Sequence, residues 1–205
     1  MKGLGLKGPV AALAFPQVIM DVRKTTLPGV LLLKPTYFHD NRGYFIETYS
    51  HRMAQALGIR SVFVQDNQSL SRRQGTIRAL HFQIPPRAQA KLVRVLRGSI
   101  YDVAVDLRVS SPTYGRWAAQ TLTAKSGEQL FVPVGFAHGF CTLEAHTEVA
   151  YKVDSYYDPD FEQGLAWDDP TLAITWPVSA SAAILSDRDR ARQSFTDFVS
   201  PFRDE

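Results

Sequence analysis

The sequence has a single cysteine, Cys141, which excludes an intrachain disulfide or a cysteine-based zinc cluster and makes a reducing, cytoplasmic location the expectation. It lacks any run of five or more like charges. Its 23 basic and 20 acidic side chains leave a formal charge of only +3, which argues against a nucleic-acid-coating surface but is compatible with a local basic pocket for a small anion. No stretch of about 18 apolar residues exists, so no membrane-spanning helix is expected. Internal repeats and low-complexity linkers are missing too. What is present is a chain of 205 residues, 45% apolar, long enough for one domain with a real core. The opening "MKGLGLKGPVAALAFPQVIM" has the two lysines and short apolar run of a secretory signal, but Pro9 and Pro16 interrupt the run and no small-residue cleavage site follows. Residues 1–26 therefore read as an N-terminal extension, with Met20 as an alternative start, and residues 27–205 as a single domain.

From Val30 onward the text is dominated by short β-favouring runs. Val30–Leu33, the turn "HDNRG" and "YFIETY" suggest strand, turn and strand. "SVFVQDNQSLS", "TIRALHFQ", "KLVRVLRG", "SIYDVAVDL", "AQTLTA", "EQLFVPV", "GFCTLE" and "TEVAYKVDSYY" follow, punctuated by Gly, Pro, Ser or charge every 8 to 12 residues. That spacing favours an antiparallel sandwich or barrel over βαβ units. Two helices are expected: a short one over Ser50–Leu57 ended by Gly58, and one in "ILSDRDRARQSFTDFV" capped by Ser186 or Asp187.

Side chains alternate faces along a strand, so parity identifies polar groups that share a wall with apolar ones. Lys91 is in step with Val93 and Val95, Tyr151 with Val149 and Val153, and His138 with Phe136 and Phe140, while His81 sits in the apolar run "RALHFQ". These four are the candidates for a barrel interior, and converging in one cavity they would form an acid/base set with tunable proton affinities. Each also has a plainer reading. An inward histidine or tyrosine is commonly a hydrogen-bonded core residue, and Asp187 and Asp189 alone are an ordinary helix start. Lys91 is hardest to dismiss, because its stem cannot carry the ammonium out of a barrel centre.

Gly75 is followed after five residues by His81, and Gly127 after five by Pro133, with Gly135 and His138 completing P-x-G-x-x-H. Both resemble halves of the cupin signatures. Gln83 stands where the first half would have its second histidine, no glutamate follows at the expected spacing, and Thr142 replaces the asparagine of the second half. Two histidines are too few for the usual first-row metal site, so the expectation is a cupin-like scaffold without its metal.

"LPGVLLLKP", "HDNRGYFIETY", "FVQDNQS", "RALHFQ", "AKLVRV", "GSIYDVAVDLR", "SPTYGRW", "QLFVPVGFAHGF", "YKVDSYY" and "WDDP", in this order, closely resemble the dTDP-4-dehydrorhamnose 3,5-epimerase family from about Leu27 to about Asp189. The resemblance implies a cupin-type jelly roll, mainly β, dimeric, needing neither metal nor cofactor, and acting on a dTDP-4-keto-6-deoxyhexose, without a nucleic-acid polymer or membrane as partner. It implies His81 as base, Tyr151 as the opposing acid, Lys91 beside the enolate oxygen and Asp189 orienting the histidine. It further assigns Arg42, Glu47, Gln65, Asp66 and Asn67 to the nucleotide end, partly across a subunit interface, Arg78 to the diphosphate, and Tyr157 to stacking on thymine. His138, Glu162 and Arg188 are implied as further ligand contacts. Ala79 in place of the usual glycine, and Gln68 in place of a histidine, leave open whether C3, C5 or both are inverted. A single-carbon epimerase or ketoisomerase, a metal-dependent cupin oxygenase and a non-catalytic sugar-nucleotide-binding cupin are the alternatives.

Overall fold

Runs of β-branched and aromatic residues broken by turn formers become strands close to where the sequence places them. The computed structural model describes residues 20–203. In chain order the elements are β1 (Met20–Lys24), β2 (Leu31–Pro35), β3 (Phe38–Asp40), β4 (Gly43–Phe45), α1 (His51–Ala56), β5 (Gln65–Ser71), β6 (Ile77–Gln83) and β7 (Lys91–Arg97). They continue with β8 (Ser99–Asp106), β9 (Trp117–Thr123), β10 (Gln129–Val132), β11 (Phe136–Thr142), β12 (Thr147–Val153), β13 (Glu162–Gly164) and α2 (Asp187–Arg190). A six-stranded sheet in the order β1-β2-β10-β7-β12-β5 faces a five-stranded sheet in the order β13-β6-β11-β8-β9, and β3 and β4 form a separate hairpin. Every strand pair is antiparallel. This is the expected jelly-roll architecture. Strand β1, drawn from the stretch read as an extension, pairs with β2 from Met20 opposite Pro35 to Lys24 opposite Leu31, and residues 1–19 of that stretch lie outside the described residues.

Three apolar clusters hold the layers together. The first lies between the sheets and joins Leu32, Val93, Val95 and Leu130 to Ile100, Ala104, Phe136 and Phe140, with Tyr151 packed against it. The second covers the outer face of the five-stranded sheet, where Leu80, Phe82, Val103 and Val105 meet Leu172, Phe198 and Phe202 of the C-terminal segment. The third packs α1 and Ile59 against Leu33, Leu92 and Phe131 on the outer face of the other sheet. Strands β2, β7, β8, β9, β10 and β11 each contribute alternate residues to two clusters, as the pleat requires.

The first helix ends as expected. Gly58, with φ of 80°, takes the left-handed position that only glycine adopts without steric strain, and the Ile59 N–H returns to the Ala54 carbonyl at 2.9 Å. The second expected helix is corrected. Ser186 does cap it, accepting the Asp189 N–H at 3.1 Å, but helical structure stops at Arg190 after a single turn. Beyond it the backbone is claimed by the sheet: Gln193 bridges to Leu165, its carbonyl accepts the Ala166 N–H at 2.8 Å, and Asp169 accepts the Phe195 N–H at 2.7 Å. Phe195 and Phe198 then reach the second cluster from turns. Tertiary hydrogen bonds and burial outweigh a helix propensity of tenths of a kcal/mol per residue.

Candidate active site

Simple alternation puts Arg78 and His81, three residues apart, on opposite faces of β6. A register shift brings them onto the same one: His81 pairs with His138 and Phe140 with Arg78, so three residue steps on β6 oppose two on β11. The bulge falls at Ala79 and Leu80, whose peptide is cis, and opposite them stands Gly139. A Cβ on Gly139 would lie 2.7 Å from the Ala79 Cα and 2.9 Å from the Arg78 carbonyl oxygen, so the strands approach this closely only because position 139 has no side chain. Ala79 is fully buried in the second cluster, on the side away from the cavity.

The result is a cavity of about 370 Å³ lined by Gln65, Asn67, His81, Gln83, Gln89, Lys91, Tyr151, Tyr157 and Glu162. A smaller recess of about 120 Å³ shares His81, Lys91 and Tyr151 with it and adds Ser69, Arg78, His138 and Phe140. The four inward candidates thus converge. Around them, His81 donates its Nε2–H to the Asp189 carboxylate, 2.7 Å away and almost fully buried. That bond leaves Nδ1 with a free lone pair. Lys91, also buried, donates from Nζ to the His81 carbonyl at 3.0 Å, tying the ammonium to the strand that carries the histidine.

Proton affinities follow from these surroundings. Burial pushes His81 below the usual imidazole value, with Lys91 and Arg192 adding to the effect and Asp189 opposing it. Burial pushes Lys91 down to about 8, while Glu162 and Asp102 limit the fall. Burial also raises the Tyr151 hydroxyl, against the nearby Arg78 cation. For Asp189, burial alone would raise the carboxyl, but the bonds from His81 and Ser186 and the charge of Arg192 hold it below the usual carboxylate range. The site therefore presents a neutral imidazole, a buried ammonium and a protonated phenol to one space.

The outer part of the cavity is ordered by amides and an ion cluster. Gln65 donates to Asn67 at 2.8 Å and accepts the Tyr157 N–H at 3.0 Å. Glu162 accepts the Tyr157 hydroxyl at 2.6 Å and pairs with Arg188 at 2.9 Å and Arg192 at 2.8 Å. Three expected residues stand elsewhere. Asp66 points to the opposite face of β5 and pairs with Lys152 at 2.7 Å, as its parity between Gln65 and Asn67 requires. Arg42 pairs with Asp40 on the exposed β3–β4 hairpin, and neither it nor Glu47 lines this chain's cavity.

Two functional candidates were absent from the expectations. Asp102, fully buried, accepts the His138 Nε2–H at 2.7 Å, and its second oxygen has no partner among the described residues. Its parity with Ile100 and Ala104 in "SIYDVAVD" was the available signal. Asp106, four residues on, is satisfied by Arg108, Ser111 and Thr113. Arg192 carried no such signal, because it sat in a stretch expected to be helical. Among the described residues no three His, Cys, Asp or Glu side chains are placed to hold a metal ion, and no helix is long and apolar enough to cross a membrane.

The sequence profile of the dTDP-4-dehydrorhamnose 3,5-epimerase family matches residues 24–197. A Sinorhizobium fredii dTDP-4-dehydrorhamnose 3,5-epimerase is 44% identical over 184 residues, 90% of this chain and 94% of its own. The crystal structure of the Bacillus anthracis enzyme of the same name, with TDP and pyrophosphate bound, superposes with a TM-score of 0.83 at 51% identity, covering 85% of this chain and 99% of its own. That of a Legionella pneumophila dTDP-6-deoxy-D-glucose-3,5-epimerase in complex with dTDP-4-keto-L-rhamnose gives 0.85 at 38% identity, covering 91% and 99%. A match along almost the whole domain, over the strands that build the cavity, identifies the chain as a member of the dTDP-4-dehydrorhamnose 3,5-epimerase family.

Proposed function

We propose that the chain inverts C3 and C5 of dTDP-4-keto-6-deoxyglucose to give dTDP-4-keto-rhamnose, a step of deoxysugar biosynthesis. A ketone at C4 acidifies the hydrogens on both neighbouring carbons, because the carbanion left by deprotonation delocalises into an enolate. Inversion needs a base on one face of the ring and an acid on the other. His81 takes the proton at Nδ1, and Asp189 stabilises the imidazolium that forms. The Lys91 ammonium, in its dry setting, stabilises the enolate oxygen. Tyr151 returns a proton from the opposite face. The observation that carries this reading is the meeting of His81, Lys91 and Tyr151 around one cavity, with Asp189 on the far nitrogen of the imidazole.

Arg78, on the wall of the recess, suits a diphosphate, since a guanidinium fork matches phosphate oxygens. Gln65, Asn67 and Tyr157 take the nucleotide end, with His138, Glu162 and Arg188 as further ligand contacts. We further infer a homodimer in which Arg42, Glu47 and Asp66 serve the nucleotide end of a neighbouring site. Supporting this, the hairpin that carries Arg42 exposes Tyr44 at 62% and Phe45 at 68%, large apolar surfaces that a second copy would cover. The lone buried Cys141 suits a reducing, cytoplasmic setting.

The test is proton exchange. The purified protein, incubated with dTDP-4-keto-6-deoxyglucose in deuterated water, is followed by NMR at C3 and C5. Exchange at both carbons is the expected outcome, exchange at one selects a single-carbon epimerase, and none refutes epimerisation of this substrate. His81→Asn should slow exchange by about 10² to 10⁴, the usual contribution of a general base.

A further inference from the structure

Arg192 follows the single turn of α2, and its side chain turns inward. Only 11% of it is exposed, and it pairs through Nη2 with Glu162 Oε1 at 2.8 Å. Its stem crosses β13 at Gly164, where a Cβ would lie 2.7 Å from Nε and 3.0 Å from Cδ, so the absence of a side chain there is what admits it. Gly164 is the cross-strand partner of His81. The neighbouring backbone is strapped to the same place by the Leu165–Gln193 bridge and the Ala166 N–H bond to the Gln193 carbonyl. Nε itself is buried and finds no acceptor among the described residues. A guanidinium has thus been placed behind the strand pair that carries the histidine, with only one of its donors engaged by a carboxylate.

We propose that Arg192 is a positioning residue of the epimerase site: it pins Glu162 from behind and sets a fixed positive charge behind the strand that carries His81. The inference rests on His81 as the base. Asp189 on one side of the imidazole favours the protonated ring; burial opposes it most, and the charges of Lys91 and Arg192 add to that opposition. Arg192 acts on both members of the His81–Asp189 pair, disfavouring the imidazolium and favouring the carboxylate. The remaining groups facing His81 are Arg78 on its own strand, Lys91 on β7, His138 on β11, Tyr151 on β12, Glu162 on β13 and Asp189 on α2. Among them the cations Lys91 and Arg78 also face the substrate space, whereas Arg192 stands behind the wall and keeps its charge whether or not substrate is bound.

The experiment separates charge from packing. Arg192→Gln and Arg192→Met remove the charge, and Arg192→Lys keeps it while losing the fork. In the neutral variants the acid limb of kcat/KM and the NMR titration midpoint of the His81 ring should both move up, because the ring loses a nearby positive charge. The His81 resonance is identified by its loss in His81→Asn. Arg192→Lys should restore both values, because it keeps the charge and the single bond to Glu162 needs no planar fork. A His81 midpoint unchanged in the neutral variants, or not restored by lysine, overturns the proposal. Undiminished turnover by His81→Asn would instead overturn His81 as base, and the ring titration would still decide what Arg192 does to it.

Discussion

Replacing Asp189 by asparagine isolates the contribution of one negative charge to proton abstraction. The side chain keeps its size and an oxygen able to accept the His81 Nε2–H, which now lies 2.7 Å from Oδ1. What disappears is the charge that meets the imidazolium. Two unit charges about 4 Å apart interact by roughly 4 kcal/mol at the effective dielectric of a protein site, and the retained hydrogen bond leaves part of that in place. A loss of about 3 to 4 kcal/mol in the transition state corresponds to roughly 10² to 10³ in rate. Because the imidazolium forms only after the substrate is bound, the loss should fall on kcat with KM little changed. The sign of the pH effect is also fixed. Asp189 raises the proton affinity of His81 against burial, so its neutralisation weakens the base and moves the acid limb of kcat/KM to lower pH, opposite to the shift expected for Arg192→Met. The assay is deuterium incorporation at C3 and C5 across pH 5 to 9. Exchange within about threefold of wild type, or an acid limb that moves upward, would refute the assigned geometry of base and orienting carboxylate.

Tyr151→Phe leaves the base in place and removes the acid on the opposite face, so epimerisation should fall by about 10² while exchange on the His81 face falls less; equal losses would remove Tyr151 from that role. Lys91 should set the basic limb: kcat/KM declines above about 8 as the free enzyme loses the ammonium. In Lys91→Met the same burial makes a stability prediction. A folded-state value of about 8 against 10.5 unfolded means that the charged lysine destabilises the fold fully below about 8 and is relieved as pH rises towards 10.5. At pH 7 the methionine variant should therefore be roughly 1 to 3 kcal/mol more stable in urea, an advantage that shrinks by pH 10, while turnover falls by about 10² or more. A less stable variant at pH 7 would refute the account of Lys91 as a buried charge held against its own desolvation.

Much of the scaffold was legible because strand formation and face alternation are local properties. "KLVRVL" and "TEVAYKV" show Lys91 and Tyr151 in step with valines before any fold is known, and the same parity, applied to "SIYDVAVD", exposes Asp102. The C-terminal segment departs from the sequence-based expectation for a complementary reason. Its composition suits a helix, and only the competition from Leu165, Ala166 and Asp169 for its backbone groups makes it run as an irregular strap.

By itself the sequence determined the antiparallel class, the short first helix with its glycine stop, and which polar side chains share a wall with apolar neighbours, since each depends on spacings of a few residues. Only the tertiary structure decided which walls face one another. The bulge opposite Gly139 turns Arg78 and His81 to one side, Asp189 reaches His81 from 108 residues away, and Arg192 slips past Gly164 to stand behind it. Such contacts are set by strand register and by the absence of a Cβ at two glycines, and both act between segments far apart in the chain.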